Sequence, residues 1–306
     1  MERVKVGVVG AGGIFRGAHL LAYPNVNEAR LTCLCDVSKE TLKVSEKRMK
    51  ELFLGRAKKA ADEGNADLAE RLREDAENVK TYSDLSEMLS KEDLDLVDIC
   101  TPTKFHSPIA IEALNHGVNV MAEKPMARTY LECLEVVEAL QGMFKPFEVE
   151  DDAHIMIRFE DKEGRWCTAH VEGSWSHRDS IDTEVIGTNG IMRPVQKEGE
   201  MFLEVTDAAG GTREFKIKEA NWVLSFEGEI RNMCNCVLNN TKPLCDENIG
   251  AETTAIVQSA YLSQKRGKKP VKLSEFKRYA LKIREKEGKN APDVLLRDLL
   301  KGIKTI

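Results

Sequence analysis

Residues 4–20 read VKVGVVGAGGIFRGAHL, an apolar strand that breaks into glycines and then opens a helix. This order is the context that a dinucleotide fingerprint requires. Gly10 makes a tight turn, Gly12 lets the backbone approach a pyrophosphate, and the phosphates rest on helix N–H groups near Gly13, Ile14 and Phe15. The third fingerprint position holds Phe15 in place of Gly or Ala, so Gly13 is expected to relax the turn instead. A glycine turn can also do no more than pack a helix closely on a sheet, and that alternative stays open here.

Asp36 follows the next apolar strand, where an acidic side chain accepts hydrogen bonds from the adenosine ribose and repels a 2′-phosphate. NAD is therefore expected over NADP. The competing reading is a helix cap, a role for which Ser38 is equally suited. A third loop, ICTPTKFHSPIAIEALNHG, again leaves a strand. Open α/β sheets bind ligands at the carboxyl ends of their strands, so Thr101, Pro102 and His106 are expected near the same crevice. His106 either meets the cofactor or caps the next helix. A fourth stretch, GVNVMAEKPMA, runs an apolar strand straight into Glu123, Lys124 and Pro125. A buried strand ending in a charged pair is expected to deliver those charges to a cleft; the plainer reading is a surface lysine paired with Glu123.

The first half alternates strands, at Val4–Val9, Leu31–Cys35, Leu96–Cys100 and Val118–Ala122, with helical patterns. Such alternation predicts βαβ units on a parallel sheet. Residues 55–78 form a highly charged insertion read as a solvated helical arm, with a partner-binding or lid role as the alternative. After Pro146, short runs such as AHIMIRFED, CTAHVEGSW and MFLEVTD predict an antiparallel sheet. Helices are expected again near Ser225–Asn239 and Ile249–Arg266, followed by two surface helices. The expected fold class is α/β: a doubly wound parallel sheet over residues 1–140, then an α+β domain with an open antiparallel sheet over 141–306.

A formal charge of −6 offers no field for nucleic acid. The absence of a long apolar run argues against a membrane span, and the start MERVKVGVVGAGG lacks a signal-peptide layout, so a cytoplasmic protein is expected. Eight cysteines lie scattered through apolar stretches; Cys33 and Cys35 share one strand face, and Cys234, Cys236 and Cys245 lack zinc spacing. No metal is expected.

GAGGIFRGAHL, DICTPTKFHSPIAIEAL and AEKPMA together closely resemble the glucose-fructose oxidoreductase, inositol dehydrogenase and rhizopine-catabolism (Gfo/Idh/MocA) family. The resemblance resumes in EVEDDAHIMIRFED, EGSWS, EVIGTNGIM and PVKLSEF. It implies a Rossmann domain followed by an α+β domain, assembly into a homo-dimer or tetramer, and a sugar-like substrate. It also implies that Lys124 lies near the nicotinamide and hydrogen-bonds the reacting hydroxyl, with Glu123 and Pro125 holding it. An ammonium there stabilises alkoxide character as hydride leaves the same carbon. The sequence departs from the family in one respect. TYLECLEVVEALQGMFKPFEVEDDA passes from helix straight to the later sheet, without the internal segment that carries the usual aspartate and general acid/base histidine. His154, His170 and His177 lie on the expected sheet, and His177 is the one considered as a substitute. Three functions are therefore expected in order: an NAD-dependent dehydrogenase acting on a sugar, polyol or nucleotide-sugar alcohol; an NAD-dependent glycosidase working by transient oxidation; and a catalytically silent NAD-binding regulatory protein.

Overall fold

The computed structural model describes residues 3–139, 152–174, 184–217 and 222–301. Strand β1 (Val4–Val9) ends at the glycine turn. A π-helical turn (Phe15–His19), the short α1 (Leu20–Ala22) and a 3-10 turn (Tyr23–Asn25) lead to β2 (Ala29–Cys35). Helices α2 (Lys39–Asp62) and α3 (Ala66–Asn78) precede β3 (Lys80–Tyr82), then α4 (Leu85–Lys91), β4 (Leu96–Ile99), α5 (His106–Asn115), β5 (Asn119–Ala122) and α6 (Tyr130–Ala139). The five strands pair in the order β3-β2-β1-β4-β5, all parallel. The sequence reading of this sheet holds, except that the three-residue edge strand β3 carries too little apolar pattern to be seen.

Both faces of the sheet are covered, which is why its strands are almost continuously apolar. Val4, Val6, Val8, Leu31 and Leu96 face one layer with Phe15, Leu20, Met49 and Phe53. Cys33, Cys35, Val97 and Ile99 face the other with Met88, Ile111 and Val136. Period-two alternation then decides where Asp98 points. Lying between Val97 and Ile99, it must face the Phe15 layer, and it is completely buried there.

The charged insertion is not a free arm. Residues 55–62 are the end of α2, and α3 folds back along it to bury Ala69, Leu72, Asp75 and Ala76. Arg3 clasps Asp75 through Nη1–Oδ2 at 2.5 Å and Nη2–Oδ1 at 2.9 Å. The charges that suggested full solvation occupy the outer faces, while small residues let the inner faces pack.

Helices α7 (Trp222–Asn239), α8 (Glu247–Lys265), α9 (Leu273–Glu287) and α10 (Ala291–Leu300) follow the second sheet region. Phe276, Ala280, Leu295 and Leu299 are fully buried against Leu131 of α6 and Leu262 of α8. The two terminal helices therefore close a core of their own and are not mere surface additions. α7 places Ile230 and Cys234 in the Phe15 layer.

Internal contacts divide the chain into Met1–Val149 with Val223–Ile306, and Glu150–Trp222. The second unit contains an antiparallel pair, β6 (Asp152–Glu160) and β7 (Trp166–Ser174). It also contains a four-stranded antiparallel sheet of β8 (Val185–Gly187), β9 (Gly190–Lys197), β10 (Glu200–Asp207) and β11 (Thr212–Lys216), ordered β11-β10-β9-β8. The expected domain boundary near residue 140, the junction read as lacking an internal segment, and His177 all lie outside the described residues. The backbones of His154 and His170 run in β6 and β7.

Candidate active site

In the strand order β3-β2-β1-β4-β5 the direction of winding reverses between β1 and β4, and the loops leaving those two strands part to form a crevice. Each exit is pinned by one more ladder hydrogen bond: Gly10 N to Cys35 O at 2.8 Å, Cys100 N to Val9 O at 2.8 Å, Asp36 N to Tyr82 O at 3.1 Å, and Glu123 N to Ile99 O at 3.0 Å. The four sequence-selected loops therefore leave the sheet at one edge in fixed directions.

Gly10 has φ +92°, and a Cβ there would lie 2.7 Å from the Cys100 carbonyl carbon and the Thr101 nitrogen. Only glycine lets the β1 and β4 loops pass so closely. Gly12 and Gly13 differ: an added Cβ at either meets nothing within 4 Å, so the backbone faces open space where a pyrophosphate would approach. Asp36 Oδ2 accepts from Ala11 N at 3.0 Å and Oδ1 from Ser38 N at 2.9 Å. Ser38 is the cap of α2, accepting from Thr41 N. Asp36 thus ties the glycine loop to β2, and it remains partly exposed there.

Ile14 is exposed, but Phe15 is fully buried, so its ring packs in the core and only its backbone can face a ligand. Where the fingerprint has a small residue for close helix packing, this chain has a phenyl ring, and the helix widens into a π-turn at that residue. Such wide turns are rare and cluster at functional sites.

Thr101 is half-buried and Pro102 exposed at the end of β4. The His106 ring is buried, its Nδ1 2.9 Å from Pro125 O and its Nε2 2.7 Å from Thr101 O. It does not cap α5; it holds the TPTKFH and EKP loops together. Lys124 and Pro125 are exposed, and their peptide bond is cis.

Glu123 lies beneath Lys124. Its Oε2 accepts from Lys124 N at 3.0 Å and its Oε1 meets His19 Nε2 at 3.1 Å. Among the described residues the Lys124 ammonium has no ion pair, so the sequence alternative of a Lys124–Glu123 surface pair is not what forms. His19 Nδ1 in turn meets Asp98 Oδ2 at 2.9 Å, and the same oxygen accepts from Tyr23 OH at 2.7 Å. Cys100 Sγ lies 3.5 Å from Asp98 Oδ1. Burial alone would depress the imidazole, but the charge and hydrogen bond of Asp98 outweigh it and hold His19 well above its ordinary value. The His19 hydrogen bond, ahead of the opposing effect of burial, holds the Glu123 carboxyl below the usual range. Burial and then Asp98 push the Tyr23 hydroxyl far up. His19, Asp98 and Cys100 carry ligand atoms within 4.8 Å of one another; hydrogen bonding accounts for their arrangement.

Sequence reasoning missed His19, Tyr23 and Asp98. A signal was present: an aspartate inside the apolar run LVDIC must either end the strand or find a buried partner. The partner was hidden because helical spacing assumes 3.6 residues per turn, and the π-turn departs from it.

Two family models match the chain: the NAD-binding Rossmann fold of the GFO_IDH_MocA oxidoreductase family over residues 4–150, and its C-terminal alpha/beta domain over residues 115–273. An uncharacterized oxidoreductase from Streptococcus pneumoniae is 33% identical over 137 residues, 44% of this chain. A glycosyl hydrolase family 109 protein from Shewanella baltica is 33% identical over 143 residues, 46% of this chain. The matched stretches span only 29% and 27% of those relatives' lengths. Among solved structures, an oxidoreductase from Agrobacterium radiobacter in complex with NAD+, L-tartaric acid and magnesium superposes with a TM-score of 0.65 at 15% identity, covering 89% of this chain and 99% of the other. The WlbA dehydrogenase from Bordetella pertussis, in complex with NADH and UDP-GlcNAcA, gives 0.53 at 16% identity, covering 89% and 100%. With its parallel sheet, glycine turn and EKP loop in this arrangement, the chain belongs to the Gfo/Idh/MocA family of NAD-binding oxidoreductases.

Proposed function

We propose that the chain is an NAD-dependent oxidoreductase that moves a hydride between nicotinamide and a secondary alcohol of a sugar, polyol or nucleotide-sugar. The observation that carries this reading is the exposed Lys124 ammonium, without an ion pair among the described residues, at the same sheet edge as the open Gly12–Gly13 turn and Asp36. The residues present suit a dinucleotide. Gly10, Gly12 and Gly13, with the backbone of Ile14 and Phe15, would hold the pyrophosphate, and Asp36 the adenosine ribose. Thr101 and Pro102 would line the crevice, with His106 fixing that loop against Pro125. When bound, the nicotinamide supplies the hydride acceptor.

Lys124 binds the substrate hydroxyl and stabilises negative charge as it develops on that oxygen, whose proton is released to solvent water. Glu123 and Pro125 hold the lysine in place, which limits the geometries it samples. The retained carboxylate of Asp36 favours NAD over NADP. The relatives and neighbours with sugar-related names support a carbohydrate substrate. Among the described residues no helix is long and apolar enough to cross a membrane; we place the protein in the cytoplasm as a homo-dimer or tetramer.

The test is titration of the chain with NAD and NADP, followed by NADH formation across a panel of sugars and polyols. Saturable NAD binding, with turnover lost in Lys124→Met and binding retained, is expected. Failure of both cofactors to bind would overturn the reading. The similarity to glycosyl hydrolase family 109 proteins supports a second reading, a glycosidase that oxidises and re-reduces its substrate within one cycle. Sugar release without net NADH would establish it.

A further inference from the structure

We propose that His19 is a positioning residue for Lys124, acting through Glu123 as the end of a buried brace anchored on Asp98. This rests on the reading of Lys124 as the cation that binds the substrate hydroxyl. The brace itself is a matter of geometry.

One imidazole ring stands between two carboxylates, with Asp98 Oδ2 at 2.9 Å from Nδ1 and Glu123 Oε1 at 3.1 Å from Nε2. Ionised carboxylates only accept, so the ring satisfies both by donating from both nitrogens, which only the imidazolium can do. Asp98 is held in turn. Its Oδ2 also takes the Tyr23 hydroxyl at 2.7 Å, and Cys100 Sγ lies 3.5 Å from Oδ1. The ring is 1% exposed and packs against Phe226 with centroids 5.1 Å apart. Counting every element around it, His19 faces Tyr23, Asp98 and Cys100, Glu123 beneath the EKP loop, and Glu229 of α7 within electrostatic reach.

A charged cluster of this kind is a poor way to stabilise a core, because apolar residues of the same volume commonly do as well or better. Its effect on Glu123 is more specific. The imidazolium neutralises one end of the carboxylate, and Lys124 N–H occupies the other at 3.0 Å. Glu123 then fixes the lysine backbone without capturing the lysine ammonium. Remove the positive charge at His19, and among the described residues the neighbouring cation left for the carboxylate is the Lys124 side chain, which it should leave unpaired. The π-turn over Phe15–His19 brings the ring to this position. The glycine turn and the lysine loop are thus joined through one side chain.

The experiment compares the 306-residue chain as wild type with His19→Gln, Glu123→Gln and the double variant. Each is treated with a limiting amine-reactive ester, and acylation of Lys124 is followed by peptide mass spectrometry against exposed Lys58 and Lys282 as internal references. His19→Gln is expected to slow Lys124 acylation about threefold or more, because the released carboxylate engages the ammonium. Glu123→Gln leaves the rate high, and the double variant recovers it. A structural role alone would lower stability and leave the rate unchanged; that result, or slowing that persists in the double variant, overturns the proposal. If His19→Gln does not fold, nitrogen-15 histidine NMR of the wild type decides. The proposal requires His19 to carry protons on both nitrogens at about pH 8, where a free imidazole is neutral, and a neutral ring there refutes it. Neither readout uses cofactor or turnover, so failure of the dehydrogenase reading would show separately in the NAD titration.

Discussion

Gly10 and Gly12 stand two residues apart in one turn, and the structure assigns them different physical duties that a pair of alanine variants separates. In Gly10→Ala the new Cβ would meet main-chain atoms of Cys100 and Thr101 at 2.7 Å, and φ is +92°. Backbone cannot move aside as a flexible side chain does. Overpacking of this kind costs about 1–3 kcal/mol, and a left-handed backbone about 1–2 kcal/mol more for a residue with a Cβ. The alanine regains roughly 0.4–1 kcal/mol by restricting the unfolded chain. A net loss of about 2–4 kcal/mol is expected, and a fall in melting temperature on the order of 10 °C. Gly12→Ala meets nothing within 4 Å and lies outside the left-handed region. Its melting temperature should stay close to wild type, while saturable NAD binding, followed by calorimetric titration, weakens at least tenfold because the methyl occupies the space a pyrophosphate needs. Thermal unfolding and NAD titration of both variants provide the check. If Gly12→Ala binds NAD as tightly as wild type, the glycine turn serves only packing and the cofactor assignment is wrong.

Asp98→Asn tests the buried cluster through pH. A His19 raised above its unfolded value of about 6.5 contributes stability that is fully present below that pH and is lost as pH rises toward the folded value. In urea unfolding, the stability gap between wild type and Asp98→Asn should therefore narrow by as much as about 1.4 kcal/mol per pH unit above 6.5; a gap that does not change with pH would show that His19 is neutral. Asp36→Ser should lower NAD affinity roughly 10-fold or more, the loss of a charge-assisted hydrogen bond, and raise NADP affinity; unchanged preference would remove Asp36 from the ribose site. Leu295→Ala, in the fully buried core of the terminal helices, should cost about 2–5 kcal/mol while leaving NAD affinity intact.

Much of the cofactor half was legible from residue order alone. Strand β1 falls at Val4–Val9 as read, because four valines and a following glycine turn leave few alternatives. The loops holding Asp36, Thr101 and Lys124 were found for the same reason: parallel strands present their carboxyl ends together. The helices of the tail are legible in the sequence but their burial is not, since an amphipathic pattern shows that a helix has an apolar face without naming what covers it.

Sequence by itself determined the parallel sheet, the family and the identity of the loops at its edge, because period-two and glycine signals are local. What Glu123 does, and therefore whether it captures the Lys124 ammonium, was decided only in three dimensions. His19 and Glu123 are far apart in the chain: His19 ends the π-turn, Glu123 follows β5, and Asp98 lies on β4. Hydrogen bonds between such residues depend on sheet order, strand alternation and one widened helical turn. None of these can be read from a residue and its neighbours, since each is set by packing across the whole sheet.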